Sequence, residues 1–487
     1  MRRQHSTEVG SVLVWTVVVI AILSLIATET LRLVTAKYLN ALQTSTWQEA
    51  LLAAESGIDL AIVELRKSLY PQPNQAWQGW GNPPGNQVTS HELTTVPNAG
   101  LNGTPMTIEA YVDAPLQLID PTNSWQYYRI RTVGTIPITG PARASDNPQD
   151  TKLRRLSLRF ERFTNGLLVA HPLATDANGN PIAQISRRIE AIVRPVSSFD
   201  QAIMSVGVVD LTNQNIVVDS YDSSDPTKST NGLYDPAKRQ ENGDIATDGQ
   251  LIEAGNAHIF GDVATNAGTV SGAANITGVE RTDFYQEPIP IGAPSWSATN
   301  SSVTSVTGTT TITADATQHS AASRYVLTGI SLSGSKTLTI AGNPNGTQTY
   351  VEIYVTGDIS VSGTGQIVIQ PGVTATIYFA GNVDITGNGV LNSNNQPGDF
   401  MLYGIQPPTT ASEHVSFGGN SQITASIYAP GHDVTVNGSG TNGHVYGSIV
   451  GKTVTMTGVS NLHHDERLGS TGVINNYKIV SWFEDNR

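Results

Sequence analysis

The chain has 487 residues, enough for two or three domains, and carries 40 acidic and 27 basic side chains and no cysteine. The lack of cysteine excludes disulfides, thiolate catalysis and cysteine-ligated zinc. Residues 1–200 hold 17 basic and 16 acidic side chains, whereas residues 201–487 hold 10 basic and 24 acidic ones. Because the second part is so acidic, it should repel nucleic acid and polyanionic glycans, and we expect no nucleic-acid partner.

The N-terminal region is dominated by twenty uncharged residues between Glu8 and Glu29. At ~1.5 Å per residue, a helix of this length crosses a hydrocarbon core of about 30 Å. The helical pattern then continues without proline as far as Tyr70, and its second half carries one apolar stripe: Leu51, Ala54, Ile58, Ala61 and Leu65. We predict one helix over residues 11–70, half of it transmembrane and half an amphipathic stalk, that ends before Pro71.

This pattern has three possible interpretations as an N-terminal segment. A cleaved secretory signal is excluded, because its apolar region is shorter and does not run on into an amphipathic helix. An uncleaved signal anchor stays open, and Arg2 and Arg3 favour a cytoplasmic N-terminus in that case. The third is a type IV prepilin, whose leader would be residues 1–10, cleaved between Gly10 and Ser11. The fifth mature residue would then be Trp15, where major pilins carry Glu.

The next part of the chain predicts an antiparallel sheet. Residues 71–100 form a connector rich in Pro, Gly and Asn. From Thr107 the apolar residues alternate in TIEAYVDA, YYRIRTVGTI, LRRLSLRFERF and RRIEAIVRPV, as in half-buried antiparallel strands. We predict that this β domain, residues 71–222, covers the apolar stripe of the helix. Its arginines alternate with Glu161 and Glu190 without an aromatic platform, which favours a solvated face over a DNA-binding patch.

After Ser223 the pattern changes to short Val, Ile and Thr runs between glycine-centred turns. The clearest units begin at Gly357, Gly381, Gly431 and Gly451, with separations of 24, 50 and 20 residues. The middle gap fits two coils and an insertion. We predict an all-β domain over 223–487, a parallel β-helix or related solenoid, with a β-sandwich as the alternative. Gln286–Pro294 contains three prolines and is predicted to be a linker or crossing strand between the early and late parts.

Two clusters are candidate metal sites. Asp219, Asp222 and Asp225 could offer oxygen ligands to Ca²⁺, although Asp in this context also makes ordinary Asx turns, which we favour. The second cluster is His463, His464 and Asp465, joined by His414, His432 and His444 if the coils stack their histidines. Adjacent residues of a strand point to opposite faces, so at most one of the two adjacent histidines can join a given site. A polar cap at the end of the solenoid is the favoured alternative.

No catalytic residue and no cofactor are predicted. Many β-helices cleave acidic polysaccharides with carboxylates and arginine on one face. Residues 341–461 contain a single basic side chain, Lys452, and scattered carboxylates. A polysaccharide-cleaving enzyme is therefore the least favoured hypothesis.

Several segments of the chain resemble those of a known protein family. The first helix, SVLVWTVVVIAILSL, followed by the AAESGI stretch within Gln48–Leu65, resembles the PilX-type minor pilin family. RTVGTIPITG, Arg187–Pro195, Val217–Pro226 and the closing stretch from SIYAPGHDVTVNG to GVSNLHHDE are similar to segments of large PilX-like proteins, whereas residues 70–100 and 281–340 match no family segment.

The resemblance implies a non-enzymatic minor pilin-like subunit of a type IV pilus or related secretion filament. Its partners would be other pilins, the pilus assembly machinery and prepilin peptidase. It would sit in the bacterial inner membrane with a cytoplasmic N-terminus before it reaches the pilus or cell surface. A signal-anchored cell-envelope adhesin or scaffold with a β-helix head remains the alternative.

Overall fold

A computed structural model describes the fold of most of the chain. The described residues are 9–70, 76–81, 90–97, 99, 105–116, 126–137, 184–212, 216–272, 275–299, 303–314, 322–342, 349–406, 413–419, 422–438, 443–458 and 460–485. They form one long helix, an antiparallel sheet and a large β region whose strands pair in parallel. The predicted strand LRRLSLRFERF, residues 153–163, lies outside the described residues.

The helix α1 spans Val9–Lys67, 59 residues, or roughly 88 Å at ~1.5 Å per residue. Its predicted apolar stripe is confirmed, since Ala54, Ile58, Ala61 and Leu65 are at most 1% exposed and Leu51 is partly buried against the same cluster. Arg66 and Lys67 lie in the last turn, where positive charge offsets the partial negative charge of the helix end.

The apolar stripe packs on an antiparallel sheet. Its strands are β1 (Ser90–Val96), β2 (Met106–Val112), β3 (Tyr128–Pro137), β4 (Gln184–Ser197) and β30 (Ile474–Asp485), paired in the order β1-β2-β3-β4-β30. The strands predicted at 107–114, 127–136 and 187–196 are thereby confirmed, whereas β1 falls within the predicted connector. The Thr132 hydroxyl donates to the Ala54 carbonyl at 2.7 Å, which joins β3 directly to the helix backbone.

The remaining strands form the parallel region. They are β5 (Ile203–Ser205), β6 (Val209–Asp210), β7 (Val217–Tyr221), β8 (Ile245–Thr247), β9 (Leu251–Gly255), β10 (His258–Ile259), β11 (Val263–Thr265), β12 (Thr269–Gly272), β13 (Asn275–Ile276), β14 (Glu280–Arg281), β15 (Val303–Val306), β16 (Thr310–Thr313), β17 (Ser323–Leu332), β18 (Thr337–Ala341), β19 (Thr349–Val355), β20 (Ile359–Val361), β21 (Gln366–Ile369), β22 (Val373–Phe379), β23 (Val383–Ile385), β24 (Val390–Asn392), β25 (Phe400–Gly404), β26 (His414–Gly419), β27 (Ile423–Gly438), β28 (His444–Gly458) and β29 (Asn461–Asp465). Short 3-10 helices occupy Pro236–Lys238, Ser295–Thr299, Pro397–Asp399 and Glu466–Ser470.

The parallel strands surround one continuous apolar core. Along one face the pairing order is β14-β11-β8-β5-β28-β27-β25-β22-β19-β17-β15. We call this succession of strands the first face. A second face runs β12-β9-β6-β28-β27-β26-β23-β20-β17. Further parallel pairings, β13-β10-β7-β29-β28 and β16-β18-β21-β24, lie outside these two faces. The core side chains come from both faces and from these further strands, and they extend from Ala202 to Leu462.

The order of strands in space differs from their order in sequence. The early strands β5, β6 and β7 pair with β28 and β29, which lie more than 200 residues later in the chain. The late strands therefore stack from β15 towards β29, and the early strands continue the same stack from β5 to β14. Glycine packs tightly where the turns stack: a Cβ on Gly261 would lie 2.7 Å from the Gly243 backbone.

One extended segment connects the two ends of this stack. Residues 284–296, which we call the brace, leave β14 and lead back towards β17, and Gln286–Pro294 lies within it. Along the way it makes hydrogen bonds to both the early and the late strands of the stack. The predicted linker between the early and late parts of the β region is thus found as a crossing segment.

The parallel region is inserted into the antiparallel sheet. The chain leaves the sheet after β4, forms β5–β29 and returns as β30, which pairs with β4. Ser197 and Ser198, at the exit, donate hydroxyl hydrogen bonds to the carbonyls of Thr471 and Val473, at the return. The observed division therefore differs from the predicted boundary at 222/223, because residues 203–221 belong to the parallel region and residues 474–485 to the sheet.

Candidate functional site

The N-terminal half of α1 is an exposed apolar rod. From Val14 to Tyr38 every described side chain is exposed, and Trp15 and Leu25 are 67% and 68% exposed. The helix is long and apolar enough to cross a membrane. Its backbone begins at Val9, so Gly10 and Ser11 lie in its first turn, while residues 1–8 lie outside the described residues. This segment therefore packs against neither of the two β regions.

The second half of α1 has two different sides. One side is buried on the sheet, and the opposite side carries Leu52, Leu60 and Val63, which are 40–58% exposed. Their spacing places them on one helical face, since residues three or four apart are neighbours. The outer side of the stalk therefore continues the apolar surface of the N-terminal half.

The one polar cluster that combines several of the candidate residues lies where β7 and β29 pair. Asp219 is fully buried and accepts hydrogen bonds from His463 Nδ1 at 2.5 Å and from the Tyr234 hydroxyl at 2.6 Å. His463 Nε2 lies 2.9 Å from His444 Nδ1. Because Asp219 is the acceptor in this contact, a proton of His463 lies on Nδ1. The second ring nitrogen of His463 continues the chain of hydrogen bonds to His444.

Aromatic rings enclose this hydrogen-bonded chain. The Tyr234 ring stacks on His463 with 3.8 Å between ring centroids, and the Tyr446 ring lies 5.1 Å from His463. Burial and the hydrogen bond to Asp219 both raise the pKa of Tyr234, so it stays protonated as a donor. Sequence reasoning missed Tyr234 and Tyr446, because nothing in the sequence shows that residues near 234, 446 and 463 meet.

The other aspartates of the candidate calcium cluster are turn residues. Asp222 Oδ1 accepts from the backbone N–H and the hydroxyl of Ser224, and Asp225 Oδ1 accepts in the same way from Thr227. These hydrogen bonds lower the pKa of Asp225. Asp219 points instead into the histidine cluster. The three carboxylates therefore do not converge, and each has a local structural partner.

The remaining histidine candidates are dispersed. His464 is 2% exposed, and burial lowers its pKa to about 4, so it is neutral at pH 7. Asp465 accepts from the backbone N–H groups of Ser223 and Arg467, while burial raises its pKa. His414 pairs with Asp384, and burial lowers the pKa of His432. Among the described residues no group of three or more His, Asp or Glu side chains is arranged to hold a metal ion.

We expect that replacing Asp219 with Asn lowers the free energy of unfolding of the parallel region by about 2 kcal/mol. The amide keeps one acceptor but turns an N–H₂ donor towards either Tyr234 or His463, both of which donate. Urea unfolding followed by hydrogen exchange in β7 and β29 measures the loss. Asp222→Asn is the matched control: its turn keeps an acceptor oxygen, and we expect a change within ~0.5 kcal/mol. Equal effects of the two variants would contradict the structural role of Asp219.

Residues 297–471, less than half of the chain, match the model of a domain of unknown function, DUF7305. The curated proteins contain no match. Among solved structures, the competence-associated pilin ComZ from Thermus thermophilus is similar over 91% of this chain and 98% of that chain, at 12% identity and a TM-score of 0.22. At this TM-score the superposition does not establish a common fold, and the PilX-type resemblance stays a prediction.

Proposed function

We propose that this chain is a non-enzymatic, minor pilin-like subunit that assembles through α1 and displays the parallel region on a type IV pilus or related secretion filament. One observation supports the proposal above the others. A single 59-residue helix has an exposed apolar N-terminal half, and its C-terminal half packs an apolar stripe on an antiparallel sheet. This arrangement leaves one end of the helix for a membrane or for other helices, and anchors the other end in a folded domain.

In this proposal the helix is first held in the bacterial inner membrane and then packs with the helices of other pilins. The exposed outer side of the stalk, with Leu52, Leu60 and Val63, extends the surface available for that packing. Prepilin peptidase would cleave between Gly10 and Ser11 with the leader on the cytoplasmic side. Because Trp15 replaces the Glu of major pilins, the subunit would lack the ion pair between that Glu and a neighbouring amino terminus.

The parallel region is the displayed part. We propose that it is a β-helix, since its strands pair in parallel around one core and each turn stacks on the next. Its Asp–His–Tyr cluster serves internal hydrogen bonding in this proposal and needs no catalytic role or cofactor. A bulky, acidic head suits a tip or a rare position in the filament better than a position repeated along a thin fibre.

Cleavage of the leader tests the proposal. The full chain is co-expressed in a bacterium with a prepilin peptidase that cleaves a known prepilin in the same cells, and its intact mass and N-terminal sequence are determined. We expect a mature chain that begins at Ser11. Gly10→Leu should abolish cleavage, because leaders of the prepilin type end in Gly, whereas the matched leader variant Glu8→Gln should be cleaved.

A retained Met1 on the unsubstituted chain, with the known prepilin fully cleaved, would reject the pilin proposal. It would favour the alternative of a signal-anchored adhesin or scaffold, in which the same helix is an uncleaved membrane anchor. The two hypotheses also differ in location, since only the pilin-like subunit should appear in sheared filament fractions.

A further inference from the structure

The brace contacts the first face of the stack in strict spatial order. The Phe284 N–H donates to the Thr265 carbonyl at β11, and the Gln286 N–H donates to Asp248, just after β8. Next, the Ile289 carbonyl accepts from the Tyr428 hydroxyl of β27 at 2.7 Å, and the Ile291 carbonyl accepts from the Gln406 N–H, just after β25. Trp296 then approaches Tyr378 of β22 and Arg324 of β17.

The length of the brace matches the height of the stack. The last two contacts are with β22 and β17, and β19 lies between these strands, so we take β19 as the end of the span. From β11 to β19 the first face has seven strand-to-strand spacings: β11-β8, β8-β5, β5-β28, β28-β27, β27-β25, β25-β22 and β22-β19. At ~4.8 Å each, these spacings amount to roughly 34 Å. Residues 284–295 reach roughly 34 Å at ~3.1 Å per residue in an extended, proline-rich conformation, and a 3-10 helix that carries Trp296 begins at Ser295. The extended brace is therefore about as long as the part of the stack that it crosses.

The brace also covers an aromatic column on the outside of the first face. Tyr354, Tyr378, Tyr403 and Tyr428 occupy one register, each beside the next. Tyr403 and Tyr428 form a second apolar cluster with Phe199, Met204, Val450 and Leu468, and Phe284 and Ile291 of the brace pack against it. Burial raises the pKa of both tyrosines, in keeping with a dry contact.

This second cluster lies at the joint between the early and late strands. Met204 belongs to β5 and Val450 to β28, and the two residues are paired in register. Without the brace, the two halves of the stack would be held together there by strand pairing and core contacts between segments more than 200 residues apart. The Tyr70 hydroxyl, just beyond α1, contacts the Glu287 carbonyl of the brace at 3.3 Å. The brace thus touches both halves of the stack and the end of the stalk.

We infer that residues 284–296 act as a fixed-length brace. It holds the early strands β5–β14 on the late strands and connects the stack to the end of α1. Its prolines keep it extended, its carbonyls take hydrogen bonds from the strands it crosses, and its apolar side chains seal the tyrosine column. A passive linker would need neither the matched length nor these contacts.

Length variants distinguish a brace from a linker. Deleting Ile289 and Pro290 shortens the segment by roughly 6 Å, more than one strand spacing. We expect amide hydrogen exchange in β8 and β11 to accelerate at least tenfold in this variant. Inserting Gly-Ser after Ile291 only adds slack, so exchange should change less than threefold. The matched control deletes Thr307 and Gly308, since the space around Gly308 is open, and it should leave β8 and β11 unchanged.

A second experiment tests the brace after folding is complete, so the result does not depend on how the deletion variant folds. A site for a specific protease is inserted after Ile291, the full chain is folded intact, and the brace is then cut. We expect exchange in β5, β8 and β11 to rise at least tenfold after cutting, while β2 and β3 of the antiparallel sheet keep their protection. Unchanged exchange after cutting, or a two-residue deletion that behaves like the Thr307–Gly308 control, would overturn the inference.

Discussion

Replacing Gly134 with Val is expected to separate α1 from the antiparallel sheet and to lower the stability of this part of the chain by about 3 kcal/mol. A Cβ at Gly134 would lie 2.1 Å from the Ala50 carbonyl oxygen and 2.5 Å from the Ala54 backbone nitrogen. Both are helix backbone atoms and cannot rotate away as a side chain does. Valine favours strand conformation, so the loss isolates the clash from any effect on β propensity.

Denaturant unfolding of the detergent-solubilised chain, with hydrogen exchange resolved to individual strands, measures this effect. Protection should fall in the second half of α1 and in β2–β4, while the core of the parallel region keeps its protection because it is a separate apolar cluster. Gly308→Val is the matched control, since a Cβ there meets nothing within 4 Å. Equal stability of the two variants would show that the helix does not approach β3 as closely as described.

Acidification is expected to weaken the parallel region through His464. Burial lowers the pKa of His464 to about 4 in the folded chain, against about 6.5 when unfolded. Between these values the unfolded state binds a proton that the folded state does not. The free energy of unfolding should therefore fall as the pH drops below 6.5, and level off near pH 4. At ~1.4 kcal/mol per pKa unit, the total loss is about 3 kcal/mol.

The comparison of unsubstituted chain and His464→Gln at pH 7.5 and pH 4.5 isolates this contribution, because other titrating groups act equally on both. The loss of stability on acidification should be smaller in the variant by about 2–3 kcal/mol. His414→Gln removes a histidine from an exposed ion pair with Asp384 and serves as the matched control. If the variant and the unsubstituted chain lose the same stability, His464 is protonated in the folded state at pH 4.5.

Local patterns in the sequence predicted the local structure well. The stripe at Ala54, Ile58, Ala61 and Leu65 follows from helical periodicity, and the helix buries it as expected. The gap between Gly381 and Gly431 holds two turns of the stack, since Asp384 pairs with Ser416 and Ser416 with Thr435. Periodicity identifies such units because each depends on neighbouring residues alone.

Long-range pairing was beyond the reach of these patterns. Nothing within residues 203–221 shows that they pair with 449–465. Asp219 and His463 were therefore predicted in two separate clusters, and their contact was not. One signal was available and unused: Tyr354, Tyr378, Tyr403 and Tyr428 recur at spacings of 24, 25 and 25 residues. That spacing marks stacked positions and would have indicated both the turn length and the covered face. β1 escaped prediction because, as an edge strand with four exposed or half-exposed polar positions, it lacks a regular apolar alternation.

The insertion of the parallel region between β4 and β30 has a consequence for the order of events during synthesis. α1 and β1–β4 emerge first, yet the sheet under the stalk gains its fifth strand only after the whole parallel region has been made. A chain broken off within that region would leave the long edge of β4 unpaired, since ten of its residues have partners in β30. Such an edge is a template for pairing with other chains. An incomplete chain therefore differs from a complete one in the antiparallel sheet under α1, far in sequence from the point where synthesis stopped.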